Sequence, residues 1–224
     1  MKKHFEWLRW MVHLGAWGTL LVLVVLYFTG NLTANPIQTV ERLTGKTALI
    51  FLILSLACSP LGAILGLPVV RGRKKALGVY GFMFAAIHLL IFIGLDYGFQ
   101  LSILWLDVNN KLYILLGLAA FVLLTALAVT TFKKLKLMLK KNWKRLHRAV
   151  YTSSPLVVVH FILIEKGNIF SLQGNLTQPL IYGSIVLLLL TLRLPPIKNG
   201  LTNLRIKIQQ RTLASKDSTL DHAS

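Results

Sequence analysis

Six apolar stretches, each about as long as a membrane-crossing helix, constrain this sequence more than any other feature. A helix needs roughly 20 residues to cross a hydrocarbon layer of ~30 Å, where the chain must satisfy its own backbone hydrogen bonds. Mean hydropathy is +0.65 and only 14% of the 224 residues are charged, against about 25% in soluble domains. The sequence therefore predicts an all-α bundle of six transmembrane helices, at 7–28, 47–67, 76–95, 112–132, 146–164 and 178–194.

These helices would form one domain, residues 1–198, followed by a polar tail, residues 199–224. We detect no repeat of fixed period. The tail has some amphipathic character, which is compatible either with a position on the inner membrane surface or with disorder. The chain organisation thus predicts one membrane domain and no second folded unit.

Lysine and arginine are unevenly distributed between the two sides that these helices define. With the amino terminus in the cytoplasm, all 25 of these residues except Arg42, Lys46, Lys111 and Lys166 fall on the cytoplasmic side. Such an excess is typical of cytoplasmic loops, so we expect both termini there. The formal net charge of +18 then reflects loops that face anionic membrane lipids, with an acidic soluble partner as the alternative. Nucleic acid is not an expected partner.

Four of the six histidines lie in the predicted spans, where ionisable side chains are costly and therefore indicate function. At 1.5 Å per residue, His88 and His160 lie ~18 Å and ~20 Å from the cytoplasmic ends of their helices. Two imidazoles at one depth on facing helices can supply both axial ligands of a haem iron. The matched depth predicts a haem site, although a lone membrane histidine more often makes an interhelical hydrogen bond.

The other two histidines lie near the cytoplasmic side. His147 is surrounded by cations and could instead contact lipid phosphate. The third helix offers only Lys74 or Lys75 at the matching depth. We therefore consider His13, at the inner end of the first helix, as a possible additional haem ligand beside His147.

Thirteen residues separate His147 from His160, so on a straight helix they would point about 220° apart. Pro155 lies between them. It removes a backbone hydrogen bond and is expected to kink or rephase the helix, with Ser153 and Ser154 satisfying the freed backbone groups. A rephased helix could present both histidines to the same neighbours; otherwise they serve different ones.

Four stretches resemble the MsrQ family, also called YedZ. The stretches are NPIQTVERLTGKTAL at 35–49, RKKALGVYGFMFAAIHLL at 73–90, WKRLHRAVY at 143–151 followed by His160, and QPLIYGSIVLLLLTLR at 178–193. The family comprises haem-binding membrane subunits of bacterial periplasmic methionine sulfoxide reductase systems, within the ferric-reductase-like transmembrane superfamily. The resemblance implies one or two haem b groups, bound through iron by residues corresponding to His88, His147 and His160.

The resemblance also implies an electron route across the bacterial inner membrane. Electrons would come from the quinone pool, or through FMN and a cytoplasmic flavin reductase. They would pass to a periplasmic, molybdopterin-containing, MsrP-like subunit that catalyses sulfoxide reduction. This chain would then carry electrons and hold no catalytic residue; residues for flavin or quinone stay unassigned.

Two other classes of protein remain as alternatives. A stand-alone ferric-reductase-like protein is disfavoured because the sequence lacks a G-x-G-x-x-G dinucleotide fingerprint. A non-redox membrane protein, either a haem or metal transporter or a scaffold subunit, would use the same histidines to line a pathway or to join helices.

Overall fold

The computed structural model describes residues 6–165 and 176–221, and within these ranges all regular elements are helical. This confirms the predicted all-α class. A π-helical turn, Phe92–Asp96, follows α3, and a 3₁₀ turn, His147–Ala149, joins α7 to α8. The α-helices are α1 Glu6–Phe28, α2 Pro36–Ile64, α3 Pro68–Ile91, α4 Leu101–Asn110, α5 Leu112–Val129, α6 Lys133–Leu139, α7 Lys141–Leu146, α8 Val150–Ile164, α9 Thr177–Thr191 and α10 Pro195–Asp221.

Five helical segments of the described chain are long and apolar enough to cross a membrane. They are Glu6–Phe28, Pro36–Ile64, Pro68–Asp96, Leu112–Val129 and Lys141–Ile164. The sixth predicted span, 178–194, corresponds to α9, which has only 15 residues and meets α10 at a bend of 75°. Counting α9 with the first part of α10 as one broken span gives six.

The helices that contain the second and third predicted spans begin before residues 47 and 76, where those spans were predicted to start. In the structure α2 begins at Pro36, and the Asn35 side chain caps it by accepting a hydrogen bond from Gln38 N at 3.2 Å. α3 likewise begins at a proline, Pro68. Proline suits the first turn of a helix because that turn has no use for its missing N–H. The earlier start brings residues 36–46 into α2.

In the fifth predicted span a 3₁₀ turn precedes Pro155. α8 continues through this proline, and the chain passes from the 3₁₀ turn His147–Ala149 to α-helix at Val150, between the two histidines. The buried hydroxyls of Ser153 and Ser154 do bond to the backbone, as expected, but both donate to the carbonyl of Val150, at 3.4 and 2.6 Å.

Two helix pairs form the centre of the bundle, α2 with α3 and α5 with α8, and α9 packs on α8 and α2. Small residues permit the close approach of α2 and α3: a Cβ added to Gly81 would lie 3.3 Å from Leu52 N. Beside this contact the Phe51 and Phe84 rings stack, with centroids 5.6 Å apart. These contacts hold α2 and α3 together as a closely packed pair.

One end of the bundle, here the basic end, contains the α2–α3 connection and the segment 133–148. Both regions are rich in lysine and arginine. The end of α9 and the start of α10 also reach it, because Arg193 donates to Leu56 O and Arg205 donates to Ala63 O at 3.4 Å. His4, Lys166, His222 and the last residues of the predicted tail lie outside the described residues, and most of the tail, 199–221, is part of α10.

Candidate metal centre at the histidine pair

His88 of α3 and His160 of α8 face each other inside the bundle. Their ring centroids are 6.4 Å apart and the ring planes are inclined by 81°. Both side chains are partly buried. The equal depth inferred from the sequence therefore corresponds to a real juxtaposition of these two side chains.

Each imidazole donates its Nδ1 hydrogen to a main-chain carbonyl of a neighbouring helix. His88 Nδ1 lies 2.9 Å from Glu41 O in α2, and His160 Nδ1 lies 2.6 Å from Tyr113 O in α5. A carbonyl oxygen can only accept, so in both neutral rings the hydrogen is on Nδ1 and the lone pair is on Nε2. This is the tautomer and the outer-shell hydrogen bond usual for metal-binding histidines.

The distance between the two rings is compatible with a metal ion shared by both. A metal–imidazole bond is about 2.0–2.1 Å, so two imidazoles bound to one ion on opposite sides have ring centroids about 6.3 Å apart. The observed separation is 6.4 Å. Two neutral imidazoles on opposite sides of an iron are an axial ligand set for haem. The donor set and its spacing therefore fit this group.

Glycines lie against both imidazoles. A Cβ added to Gly45 would lie 3.2 Å from His88 Nδ1, and one added to Gly117 would lie 2.7 Å from His160 Nδ1. Sequence analysis did not identify these glycines, nor the carbonyls of Glu41 and Tyr113.

Two further contacts join α2 to α8 beside the pair. Arg42 Nη1 lies 3.8 Å from Glu165 Oε1, and Lys46 Nζ lies 6.0 Å from the centroid of the Phe161 ring. Lys46 follows Gly45 and Phe161 follows His160 in sequence. The ion pair is long and partly exposed, so its contribution to stability is small, but both contacts hold the same two helices together.

His147 lies apart from this pair, at the basic end. Its Nε2 is 3.3 Å from the hydroxyl of Thr130, and its ring lies over Trp143 with centroids 4.2 Å apart. The Trp143 indole in turn donates to Thr130 O at 2.9 Å. The structure therefore gives His147 local partners on the segment between α5 and α8.

His13 of α1 has a different partner. Its Nδ1 is hydrogen-bonded to the hydroxyl of Tyr80 in α3, and the two rings meet edge to face. Among the described residues no group of three or more His, Cys, Asp or Glu side chains is arranged to hold a bare metal ion. Of the four predicted histidines, the structure brings His88 and His160 into one pair and leaves His147 and His13 with separate partners.

A cavity of about 230 Å³ opens at the basic end. It is lined in part by Lys74, Tyr151, Arg193 and Lys198, and the Arg193 guanidinium lies over the Tyr151 ring at 5.5 Å. Three cationic side chains around one cavity favour an anionic occupant.

Comparison with known proteins gives matches that cover most of this chain. Residues 14–158 match the family described as Ferric reductase like transmembrane component. The chain is also 39% identical, over 168 residues, to the protein-methionine-sulfoxide reductase heme-binding subunit MsrQ of Rhodospirillum rubrum; the matched part covers 75% of this chain and 77% of that protein. The chain belongs to the MsrQ family. The MsrQ subunit of Bordetella pertussis is 35% identical over 160 residues, or 71% of this chain and 75% of its own length.

The extent of the broader match has a bearing on the histidines. The region that matches the ferric reductase like family includes His88 and His147, ends two residues before His160, and begins one residue after His13. Membership of the MsrQ family confirms the resemblance found in the sequence. The family match assigns no role to an individual histidine, so such roles are proposed below from the geometry.

Proposed function

We propose that this protein binds haem b through His88 and His160 and carries electrons across the bacterial inner membrane to a periplasmic, molybdopterin-containing methionine sulfoxide reductase. The single observation that carries the haem assignment is the facing pair of imidazoles, 6.4 Å apart, each with Nδ1 hydrogen-bonded to a carbonyl. The relatives from Rhodospirillum rubrum and Bordetella pertussis are named as heme-binding subunits of a protein-methionine-sulfoxide reductase, which supports haem binding and an association with a methionine sulfoxide reductase.

The chain's own contribution is to hold and orient the haem. Haem supplies one-electron chemistry when bound, and its potential depends on the axial ligands, their hydrogen bonds and the surrounding dielectric. The bonds to Glu41 O and Tyr113 O fix the rings so that both Nε2 atoms stay available. With haem bound, the same bonds would make each imidazole a stronger electron donor to the iron. Sulfoxide reduction itself belongs to the partner subunit in this proposal.

The electron donor is proposed to act at the basic end, which would face the cytoplasm. The quinone pool, FMN, and a cytoplasmic flavin reductase are the candidate donors, and the cationic cavity beside Arg193 supports an anionic group such as the phosphate of FMN. His147, with His13 as an additional ligand, is proposed to hold a second haem near this end. The MsrP-like partner would approach the opposite end, near His88 and His160.

An optical spectrum of the detergent-purified protein tests the haem assignment. We expect the reduced protein to show the bands of low-spin haem b, and His88→Ala and His160→Ala each to lose most of the haem, because a single remaining imidazole cannot complete the ligand pair. His4→Ala, which lies in none of the predicted spans, is the matched control and should keep the spectrum. A colourless, folded protein from cells supplied with ample haem would exclude the proposal and favour a transporter or scaffold role.

A further inference from the structure

The two ligand histidines sit in equivalent surroundings on two different helix pairs. His88 donates to the carbonyl of Glu41 and His160 to that of Tyr113, and in both cases the partner lies 47 residues earlier in the chain. Four residues after each carbonyl, on the same face of the helix, comes a glycine: Gly45 in α2 and Gly117 in α5. The α2–α3 pair thus presents His88 in the same way that the α5–α8 pair presents His160.

Because each glycine lacks a side chain, the neighbouring imidazole of His88 or His160 can lie against the helix backbone. A Cβ on Gly45 would lie 3.2 Å from both Cε1 and Nδ1 of His88. One on Gly117 would lie 2.6 and 2.7 Å from the same atoms of His160, too close for the ring to stay in place. Alanine is favoured over glycine inside a helix, so these two glycines are not explained by helix formation. They are explained by the imidazoles that lie across the two helices.

We propose that Gly45 and Gly117 are positioning residues for the haem ligands. Without a Cβ at these two positions, each imidazole can lie flat enough on its neighbouring helix for Nδ1 to reach the carbonyl of the residue four positions earlier. That bond sets the direction of Nε2. The inference rests on the proposed haem ligation by His88 and His160, and adds to it that the backbones of α2 and α5 determine how the ligands are aimed.

The sizes of the two spaces predict unequal effects of alanine. In Gly117→Ala the His160 ring must move, so the bond to Tyr113 O is lost or lengthened and Nε2 is turned from its direction. In Gly45→Ala a displacement of a few tenths of an ångström is sufficient, because the contact of 3.2 Å is only slightly too short. We therefore expect Gly117→Ala to weaken haem retention about 10-fold or more, the range seen when an outer-shell partner of a metal ligand is removed, and Gly45→Ala to weaken it less.

The test compares haem per protein, the electron paramagnetic resonance spectrum of the oxidised haem, and its midpoint potential in the full-length protein. We expect changed g-values and a raised potential in Gly117→Ala, because an imidazole without its hydrogen bond donates less electron density to the iron. Gly45→Ala should show the same changes to a smaller degree. Gly72→Ala is the matched control, since a Cβ there meets nothing within 4 Å.

The outcomes separate this inference from the proposed function. If the wild type binds no haem, the proposed function itself fails. If the wild type binds haem that His160→Ala loses, but Gly117→Ala keeps the wild-type haem content, spectrum and potential, the positioning role is wrong. A larger effect of Gly45→Ala than of Gly117→Ala would also overturn it. Should Gly117→Ala fail to accumulate in the membrane, the milder Gly45→Ala against Gly72→Ala decides the question.

Discussion

The histidines of this chain differ in what surrounds them. His88 and His160 each have Nδ1 bonded to a main-chain carbonyl and lie close to each other, and among the residues that the structure describes neither Nε2 has a hydrogen-bond partner. His147 instead has Nε2 against the hydroxyl of Thr130. For His147 to ligate iron through Nε2, this contact must be given up. The inner site proposed for His147 and His13 is therefore a separate hypothesis, with its own test.

Haem content of the His147→Ala and His13→Ala proteins tests that inner site. We expect His147→Ala to lower haem per protein while the signals of the His88–His160 haem remain, because removing an axial ligand affects its own site most. Thr130→Val is the matched control: it removes only the hydroxyl that His147 contacts and should keep the haem. Unchanged stoichiometry and potential in both histidine variants would refute the second site.

At the scale of elements, a small polar cluster around α4 joins helices at the end of the bundle opposite the basic end. The Asp107 carboxylate accepts hydrogen bonds from Tyr97, which follows the π-helical turn after α3, and from Lys111 Nζ at 2.7 Å, which precedes α5. The hydrogen bond from Lys111, and then that from Tyr97, hold the pKa of Asp107 below its ordinary value. Burial, and then the same bond to Asp107, raise the pKa of Tyr97. The cluster links the helix of His88 to that of Tyr113.

This cluster predicts how the stability of α4 depends on pH. A carboxyl group whose pKa is lowered in the folded state stabilises that state above its unfolded value of about 4, and the effect is lost as pH falls through the lowered pKa. We expect amide exchange in 97–111, corrected for intrinsic rates, to become faster below about pH 4. Asp107→Asn should show less protection at pH 6 and a flatter pH profile, whereas Ser102→Ala, exposed on the same helix, should match the wild type. An Asp107→Asn profile that follows the wild type would contradict the prediction.

The helices were predictable from the sequence to different degrees. The length of each apolar stretch predicts a membrane-spanning helix, because a helix needs about 20 apolar residues to cross the bilayer. It does not reveal that α2 begins eleven residues before the predicted span, because residues 36–46 are partly polar. The indication in the sequence was the Asn35-Pro36 pair, which is typical of a helix start. Glu41 and Gly45 lie in that extension. The part of the site that holds His88 therefore fell in a region expected to be a loop.

The histidine pair was predictable, but its surroundings were not. Helical rise places His88 and His160 at one depth irrespective of packing. The partners at Tyr113 and Gly117 depend on which helices lie side by side, which a single sequence does not state. The sequence also did not reveal that the two helix pairs are equivalent. They share only the spacing of one histidine, one carbonyl and one glycine, and no similar stretch of sequence. The 3₁₀ turn His147–Ala149, which precedes Pro155, was not predicted either.

At the scale of the whole molecule, the two ends of the bundle differ in chemistry. The basic end carries the cations of 133–148, His147 and the cavity beside Arg193. The His88–His160 pair lies toward the other end, where α2 and α5 begin. The polar cluster around α4, between α3 and α5, lies at this end too. Electron transfer to a periplasmic partner requires the histidine pair to be on the periplasmic side. The excess of cations predicts the same orientation, because such loops remain in the cytoplasm.

Labelling of single cysteines by a membrane-impermeant maleimide tests this orientation. The sole native cysteine, Cys58, is buried, so Cys58→Ser provides a cysteine-free background. Ser102→Cys in α4 and Asn142→Cys in α7 place exposed thiols at opposite ends of the bundle. We expect Ser102→Cys to react in cells whose outer membrane has been made permeable and Asn142→Cys to react only after lysis. Labelling of Asn142→Cys before lysis would show that the orientation is opposite to the predicted one. The histidine pair would then lie on the cytoplasmic side, away from any periplasmic reductase.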